Sequence, residues 1–155
     1  MVQAWQTRVP EAIDALVATF RTADGLADVT VRDGASVSQS RLSEVVSVGY
    51  TGVDGENDVD AQATTEGLGG GQDREQFVIR CAAAAFKGGT DMAAARKRAY
   101  EIFAAATAAI AANRTLNGTV LRAMVDSHAL TQDQADSGAQ AVIVFSVGCD
   151  AFTRP

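Results

Sequence analysis

The chain has 155 residues, of which 47% are apolar and 21% are charged, with a formal net charge of −6. These values are typical of one globular domain with its own core, and the acid excess disfavours general binding to nucleic acid or anionic membranes. No apolar run approaches the ~20 residues of a spanning helix, and no charged-then-apolar leader opens the chain. We therefore expect a cytoplasmic protein, without a membrane, whose Cys81 and Cys149 are reduced core residues.

The first third of the sequence predicts one helix and two strands. Pro10 and Glu11 suit the start of a helix, and the apolar residues that follow recur at helical spacing, so a helix is expected over about 9–23. A short strand is predicted at 29–32, and the β-branched stretch at 44–50 predicts a second strand.

The segment 51–72 differs from the rest of the chain because it is glycine-rich, acidic and without a helical or strand period. It lacks lysine and arginine, and it holds acids at alternate positions: Asp54, Glu56, Asp58 and Asp60. A calcium loop with that spacing needs a glycine at its sixth position and a bidentate acid at its twelfth, where this chain has Val59 and Thr65. We therefore predict a flexible acidic loop, with neither a metal site nor a cofactor.

The stretch 74–86 alternates apolar and polar residues, as a half-buried strand does. Its apolar positions are Phe77, Ile79, Cys81, Ala83 and Ala85. Together with the strand at 44–50 it would form a long antiparallel β-hairpin, with the acidic loop at the tip.

The longest helical pattern covers 90–113, and either Thr90 or Asp91 can cap its first amides. One stripe of this helix is apolar and comprises Met92, Ala95, Ala99, Ile102, Phe103, Ala106 and Ile110. Such a stripe predicts a helix that covers a sheet.

The far side of the same helix carries few charges and then only alanines, including Ala104 and Ala108. A solvated helix normally has charges there, so the alanine face predicts contact with another surface, such as a neighbouring subunit. The only basic run of the chain lies in its first two turns and comprises Arg96, Lys97 and Arg98. This run is either a solvated surface with Glu101 as a partner or a docking patch for the acidic loop of another copy.

The last third of the chain predicts two further strands. The first covers about 120–125, a polar connection follows at 131–138, and the clearest alternation in the sequence covers 139–152. The order of elements predicts an α+β fold: a mainly antiparallel sheet packed against two helices, with a long β-hairpin, in a single domain over 1–155.

The candidate catalytic groups argue against an enzyme. His128 is the only histidine, so neither a histidine cluster for a metal nor a two-histidine relay can form. Asp126 and Ser127 precede it directly, whereas triad members converge from separate positions in a fold. Two other classes stay open: a small hydrolase or ligand-binding α+β domain, and a nucleic-acid binder that uses the basic run.

Several stretches together resemble a known family. They are VPEAIDALVATF, VTVRDG, the hairpin from EVVSVGY to REQFVIRCAAAAF, ARKRAYEIFAAATAAIAAN, TVLRAMVDSHA and AQAVIVFSVGCDAF. In this order, over nearly the whole chain, they are similar to the tail terminator proteins of long-tailed bacteriophages, also called minor tail or head-to-tail joining proteins.

The resemblance implies a virion structural protein, assembled in the host cytoplasm, that forms a homo-oligomeric, hexameric ring on the tail tube. Such a ring ends tube polymerisation and provides the head-attachment surface at the head–tail junction. The implied partners are further copies of the chain, the tail tube protein and a head–tail connector or stopper protein. Genomic DNA would pass through the channel without specific binding. The alternative within this class is another connector component, a stopper or head-completion protein.

Overall fold

The computed structural model describes residues 5–35, 44–64 and 73–153. In chain order its elements are helix α1 (Val9–Arg21), strands β1 (Thr30–Asp33), β2 (Glu44–Val48), β3 (Val59–Thr64) and β4 (Arg74–Lys87), helix α2 (Met92–Ala112), and strands β5 (Arg122–Ala135) and β6 (Gly138–Phe152). A short 3₁₀ turn at Asp24–Leu26 follows α1. The predicted α+β class, with a mainly antiparallel sheet against two helices, is confirmed. In the described residues, no helix is long and apolar enough to cross a membrane.

The sheet has the strand order β1-β2-β4-β6-β5, and β3 also pairs with β4, beyond the end of β2. Only the β1–β2 pair is parallel. The predicted hairpin is present, because β2 pairs antiparallel with β4 from Glu44↔Ala85 to Val48↔Cys81. The strands β4 and β6 pair over the whole length of β4, and they form the centre of the sheet.

The acidic segment is more ordered than its sequence indicates. The prediction that 51–72 contains no strand is wrong for 59–64, where β3 pairs with the first half of β4. All of β3 beyond Val59 is exposed, and a strand that buries neither face has no apolar period to detect. β2 and β3 therefore form one interrupted arm of the hairpin, from which residues 49–58 depart; we call these residues the excursion. The rest of the predicted loop, 65–72, lies outside the described residues.

Arg80 closes the base of the excursion. Its carbonyl oxygen accepts from the Tyr50 amide at 3.1 Å, and its own amide donates to the Asp58 carbonyl oxygen at 2.9 Å. The Arg80 guanidinium also donates to the carbonyl oxygen of Asn57 at 2.8 Å. These bonds hold the two ends of the excursion against the same residue of β4.

The predicted polar connection at 131–138 is also wrong, because β5 continues through this stretch to Ala135 and only residues 136–137 form the turn. The second half of β5 is an edge strand that is exposed except at Leu130, so it shows no apolar alternation. Gly138 ends the turn at a φ of 144°, where a side chain would collide with the Lys87 carbonyl oxygen. A β-bulge between Val125 and Ser127 divides β5.

Both helices pack on one face of the sheet, which we call the inner face. Its predicted residues on β4 and β6 are all buried, and the stripe of α2 is buried or packed against the same core. Leu16 and Phe20 bring α1 into this core. Asp91 caps α2, since its carboxylate accepts from the Ala94 amide at 3.0 Å. Helix α1 ends at Arg21, two residues before its predicted end.

Cys81 and Cys149 are free and buried, in agreement with the predicted core role. Burial raises the pKa of both thiols to about 12, because an apolar interior disfavours the thiolate. In the unfolded chain they ionise near pH 9. The unfolded state therefore loses protons first as the pH rises.

We expect alkaline loss of stability from these thiols. Their contribution is complete below pH 9 and falls as the pH rises from there toward 12, with a slope of about 1.4 kcal/mol per pH unit for each thiol. Urea unfolding across this range measures the slope. A chain with Cys81→Ala and Cys149→Ala should lose the part of this slope that comes from the thiols. Equal slopes in the variant and the wild type would show that the thiols do not cause the loss of stability.

Candidate functional site

The basic run of α2 does not form one surface. The Arg98 guanidinium donates two hydrogen bonds to the Glu44 carboxylate of β2, from Nε at 2.7 Å and from Nη2 at 2.9 Å. Its Nη1 also donates to the Glu101 carboxylate at 3.2 Å. Arg96 turns the other way and donates to the Gln132 side chain on β5 at 2.8 Å. Lys97 is exposed, and among the three it alone makes no side-chain hydrogen bond or ion pair within the described residues. The predicted contact with Glu101 is made by Arg98, whose main partner is Glu44.

The Arg98–Glu44 pair joins the start of α2 to the sheet. Hydrogen bonding to Arg98 is the main cause that lowers the pKa of the Glu44 carboxyl, and the same bond raises the pKa of the guanidinium. Both side chains are less than a third exposed, and the bidentate geometry is the strong form of this contact. Arg98 therefore serves the fold rather than a partner.

The alanine face of α2 is partly covered within the chain. Ala104 and Ala108 are exposed, as predicted, whereas Ala105 packs against Gly25 of the 3₁₀ turn. A Cβ on Gly25 would lie 2.9 Å from the Ala105 Cβ, so only glycine allows this approach. Beside this contact runs a shallow groove of about 540 Å³ between the ends of α1 and α2, with a floor of small residues.

The four predicted acids do not converge. Asp54, Glu56 and Asp58 are exposed in the excursion. Asp60 lies on β3, where it accepts from Asn57 at 2.9 Å and from Arg80 at 2.6 Å. These two bonds, that of Asn57 first, lower the pKa of the Asp60 carboxyl. Within the described ranges, no group of three His, Cys, Asp or Glu side chains is placed to hold a metal ion.

Glu75 is a buried carboxylate that the sequence reasoning missed. It is fully buried at the start of β4, on the inner face. Its carboxylate accepts from the Trp5 indole at 2.7 Å, the Thr7 hydroxyl at 2.6 Å and the Arg8 amide at 2.8 Å. It thereby ties the segment before α1 to the sheet. The sequence does indicate its burial, because Glu75 lies two residues before Phe77 and therefore on the same, inner face of β4.

A groove of about 380 Å³ separates the second half of α2 from β5. His128 lies at its wall, with its ring 4.8 Å from that of Phe103 and 5.7 Å from that of Tyr100. Ser127 pairs with Ser146 and His128 with Phe145, so the two side chains lie on opposite faces of the sheet. Asp126 occupies the bulge, and its carboxylate lies over Gly148. The three neighbours therefore do not form a triad.

No known protein-family model matches the chain, and a comparison with curated proteins also finds no match. The resemblance to tail terminators therefore stays a prediction.

We expect Arg98→Ala to lower the free energy of unfolding by about 1 kcal/mol at neutral pH, the scale of a well-formed, partly exposed pair. Because the folded pKa of Glu44 is lowered, this contribution is present above the unfolded pKa and is lost as the pH falls through the folded pKa. Chemical unfolding at neutral and acid pH measures it. Lys97→Ala is the matched control, with no change expected. Equal effects of the two variants would contradict the assignment.

We expect Glu75→Ala to cost about 2–3 kcal/mol of stability, since three donors lose their buried acceptor. Trp5 is the only tryptophan, so its fluorescence reports release of the segment before α1 by a shift to longer wavelength. Glu75→Gln should cost less because one acceptor oxygen remains. The exposed Glu56→Ala serves as control, and an unchanged Trp5 spectrum in Glu75→Ala would contradict the anchoring role.

Proposed function

We propose that this chain is a non-enzymatic virion structural protein, a tail terminator that caps the tail tube as a homo-oligomeric, hexameric ring. In this role it ends tube polymerisation and offers the surface to which the head–tail connector attaches. The observation that carries the proposal is that, among the residues that the structure describes, the sheet has one face covered by helices and two open edges. The resemblance of the sequence to terminator proteins supports the same role.

The covered face is the inner one. On the opposite, outer face lie small apolar side chains that are at least half-buried yet do not belong to the core: Val45, Ala82, Ala84, Val142 and Val144. No described helix packs over them. A smooth face of this kind suits a subunit that meets other subunits, because contiguous apolar surface is usually covered in the working assembly.

Both edges of the sheet are open in the described part of the chain. β5 pairs only with β6, while β1 and β3 each have one neighbour. Free edges leave rows of backbone N–H and C=O groups that another chain can bind. A subunit with an open edge on each side can join neighbours on both sides, as a ring requires.

The charge of the chain also fits a conduit for DNA. Its net charge is −6, and a channel rich in acids does not hold phosphates, so DNA passes without specific binding. The exposed acids of the excursion, Asp54, Glu56 and Asp58, contribute to this charge.

Electron microscopy of infected cells that lack this protein tests the function. We expect abnormally long tails without heads, because the tube has no terminator. Normal-length tails beside leaking heads would overturn the terminator role and indicate the stopper or head-completion role instead.

We expect the double variant Ala104→Glu, Ala108→Glu to fold but to assemble poorly. Both positions are exposed, so the change costs less than about 1 kcal/mol of stability, while two charges on a contact face oppose its burial. Mass measurement of the assembled species and thermal unfolding separate the two effects. Ala104→Ser, Ala108→Ser is the control at the same positions, and normal assembly of the glutamate variant would remove the alanine face from the interface.

A further inference from the structure

We propose that copies of this chain join head to tail through opposite edges of the sheet, where a basic patch at the start of β5 binds the acidic excursion of the next copy. The basic edge patch comprises Arg114, Leu121, Arg122 and Met124. The acidic edge patch comprises Tyr50, Val53, Asp54, Glu56 and Asp58. The inference rests on the proposed ring and names the contact that builds it.

The exposed apolar side chains concentrate in these two patches. Seven large hydrophobic residues of the described chain are exposed, and four of them belong to the patches: Tyr50, Val53, Leu121 and Met124. Leu121 and Met124 are 50% and 47% exposed, and Val53 is 46% exposed. Exposed apolar groups among charges of one sign are typical of the rim and centre of a protein interface.

The charges of the two patches are opposite and available. Arg114 and Arg122 are exposed, and neither makes an ion pair with an acid in the described residues. The cross-strand neighbour of Arg122 is Asp150, which already pairs with Arg74. In the acidic patch, the three carboxylates are exposed as well. The Arg122 guanidinium donates only to the Met124 sulfur, at 3.2 Å, among the described residues. Charges without an internal partner of opposite sign can bind an external one.

Opposite signs on opposite edges decide the symmetry of the contact. A twofold contact centred on the basic edge patch would place arginines against arginines, and one centred on the excursion would place acids against acids. A head-to-tail contact instead sets each basic edge against an acidic edge. Such a heterologous contact closes into a ring when its rotation permits.

The strand directions agree with this arrangement. β3 and β6 both run antiparallel to β4, and β5 runs antiparallel to β6. β5 and β3 therefore run in opposite directions, and copies related by rotation about an axis along the strands would meet as an antiparallel pair. The cross-sheet row of Arg122 continues through Asp150 and Gln76 to Gln62 of β3. The excursion leaves the sheet at Arg80, four residues farther along β4, so the two patches meet when the rotation axis is inclined to the strands.

The test is a charge swap, read as the mass of the purified full chain by sedimentation over a range of protein and salt concentrations. We expect a wild-type oligomer that high salt weakens. Arg114→Glu, Arg122→Glu and the reciprocal Asp54→Lys, Glu56→Lys should each weaken assembly at least about tenfold. A chain that carries all four changes should regain assembly, and circular dichroism of each variant establishes that it folds.

A second measurement does not depend on charge. Val53→Cys, Met124→Cys should form disulfide-linked ladders on oxidation, while the native thiols stay buried. Three outcomes overturn the contact. The wild type stays monomeric, the chain with all four changes does not regain assembly, or Lys97→Glu weakens assembly while the changes at Arg114 and Arg122 do not. If every variant assembles as the wild type does, the proposed contact is wrong, but tail capping is unaffected and is tested by the electron microscopy. Normal-length tails in infected cells that lack the protein would overturn tail capping, while the charge swap would still test the contact between copies.

Discussion

The antiparallel pairing of β4 with β6 organises the rest of the molecule. The two strands pair along all of β4, and one half of their inner face carries alanines, including Ala83 and Ala141. Because α2 faces them with alanines, of which Ala95, Ala99 and Ala106 are fully buried, helix and sheet approach closely. β2, β3 and β5 each add to one of these two strands, so the open edges follow from this pairing.

Elements that bury one face were predictable from the sequence, and elements that bury none were not. β4, β6 and the stripe of α2 alternate with the period of their structure, and their inner residues were assigned correctly. β3 and the second half of β5 are exposed, so their polar sequences resemble loops. Contacts between residues far apart in the sequence were not predicted, for a different reason. No local sequence pattern indicates the Arg98–Glu44 ion pair or the hydrogen bond from Trp5 to Glu75, because the partners of each come together only in the folded chain.

The internal use of some charged groups changes which others are available to partners. Arg98 and Asp60 were candidates for contact surfaces, yet each is bound within the chain, to Glu44 and to Arg80. These pairs fix α2 to β2 and β3 to β4. Within the described residues, the exposed acids Asp54, Glu56 and Asp58 and the two arginines Arg114 and Arg122 make no ion pair of this kind.

A one-sided sheet has a physical reason to assemble with a defined polarity. Its outer apolar face alone would favour any stacking partner, because hydrophobic contact has no direction. In the proposed contact, patches of opposite charge on strands of opposite direction restrict a neighbour to one side and one orientation. Under this arrangement the hydrophobic residues supply contact area and the charges supply order. In the proposed assembly, that division gives the exposed acidic excursion a role although it adds nothing to the core.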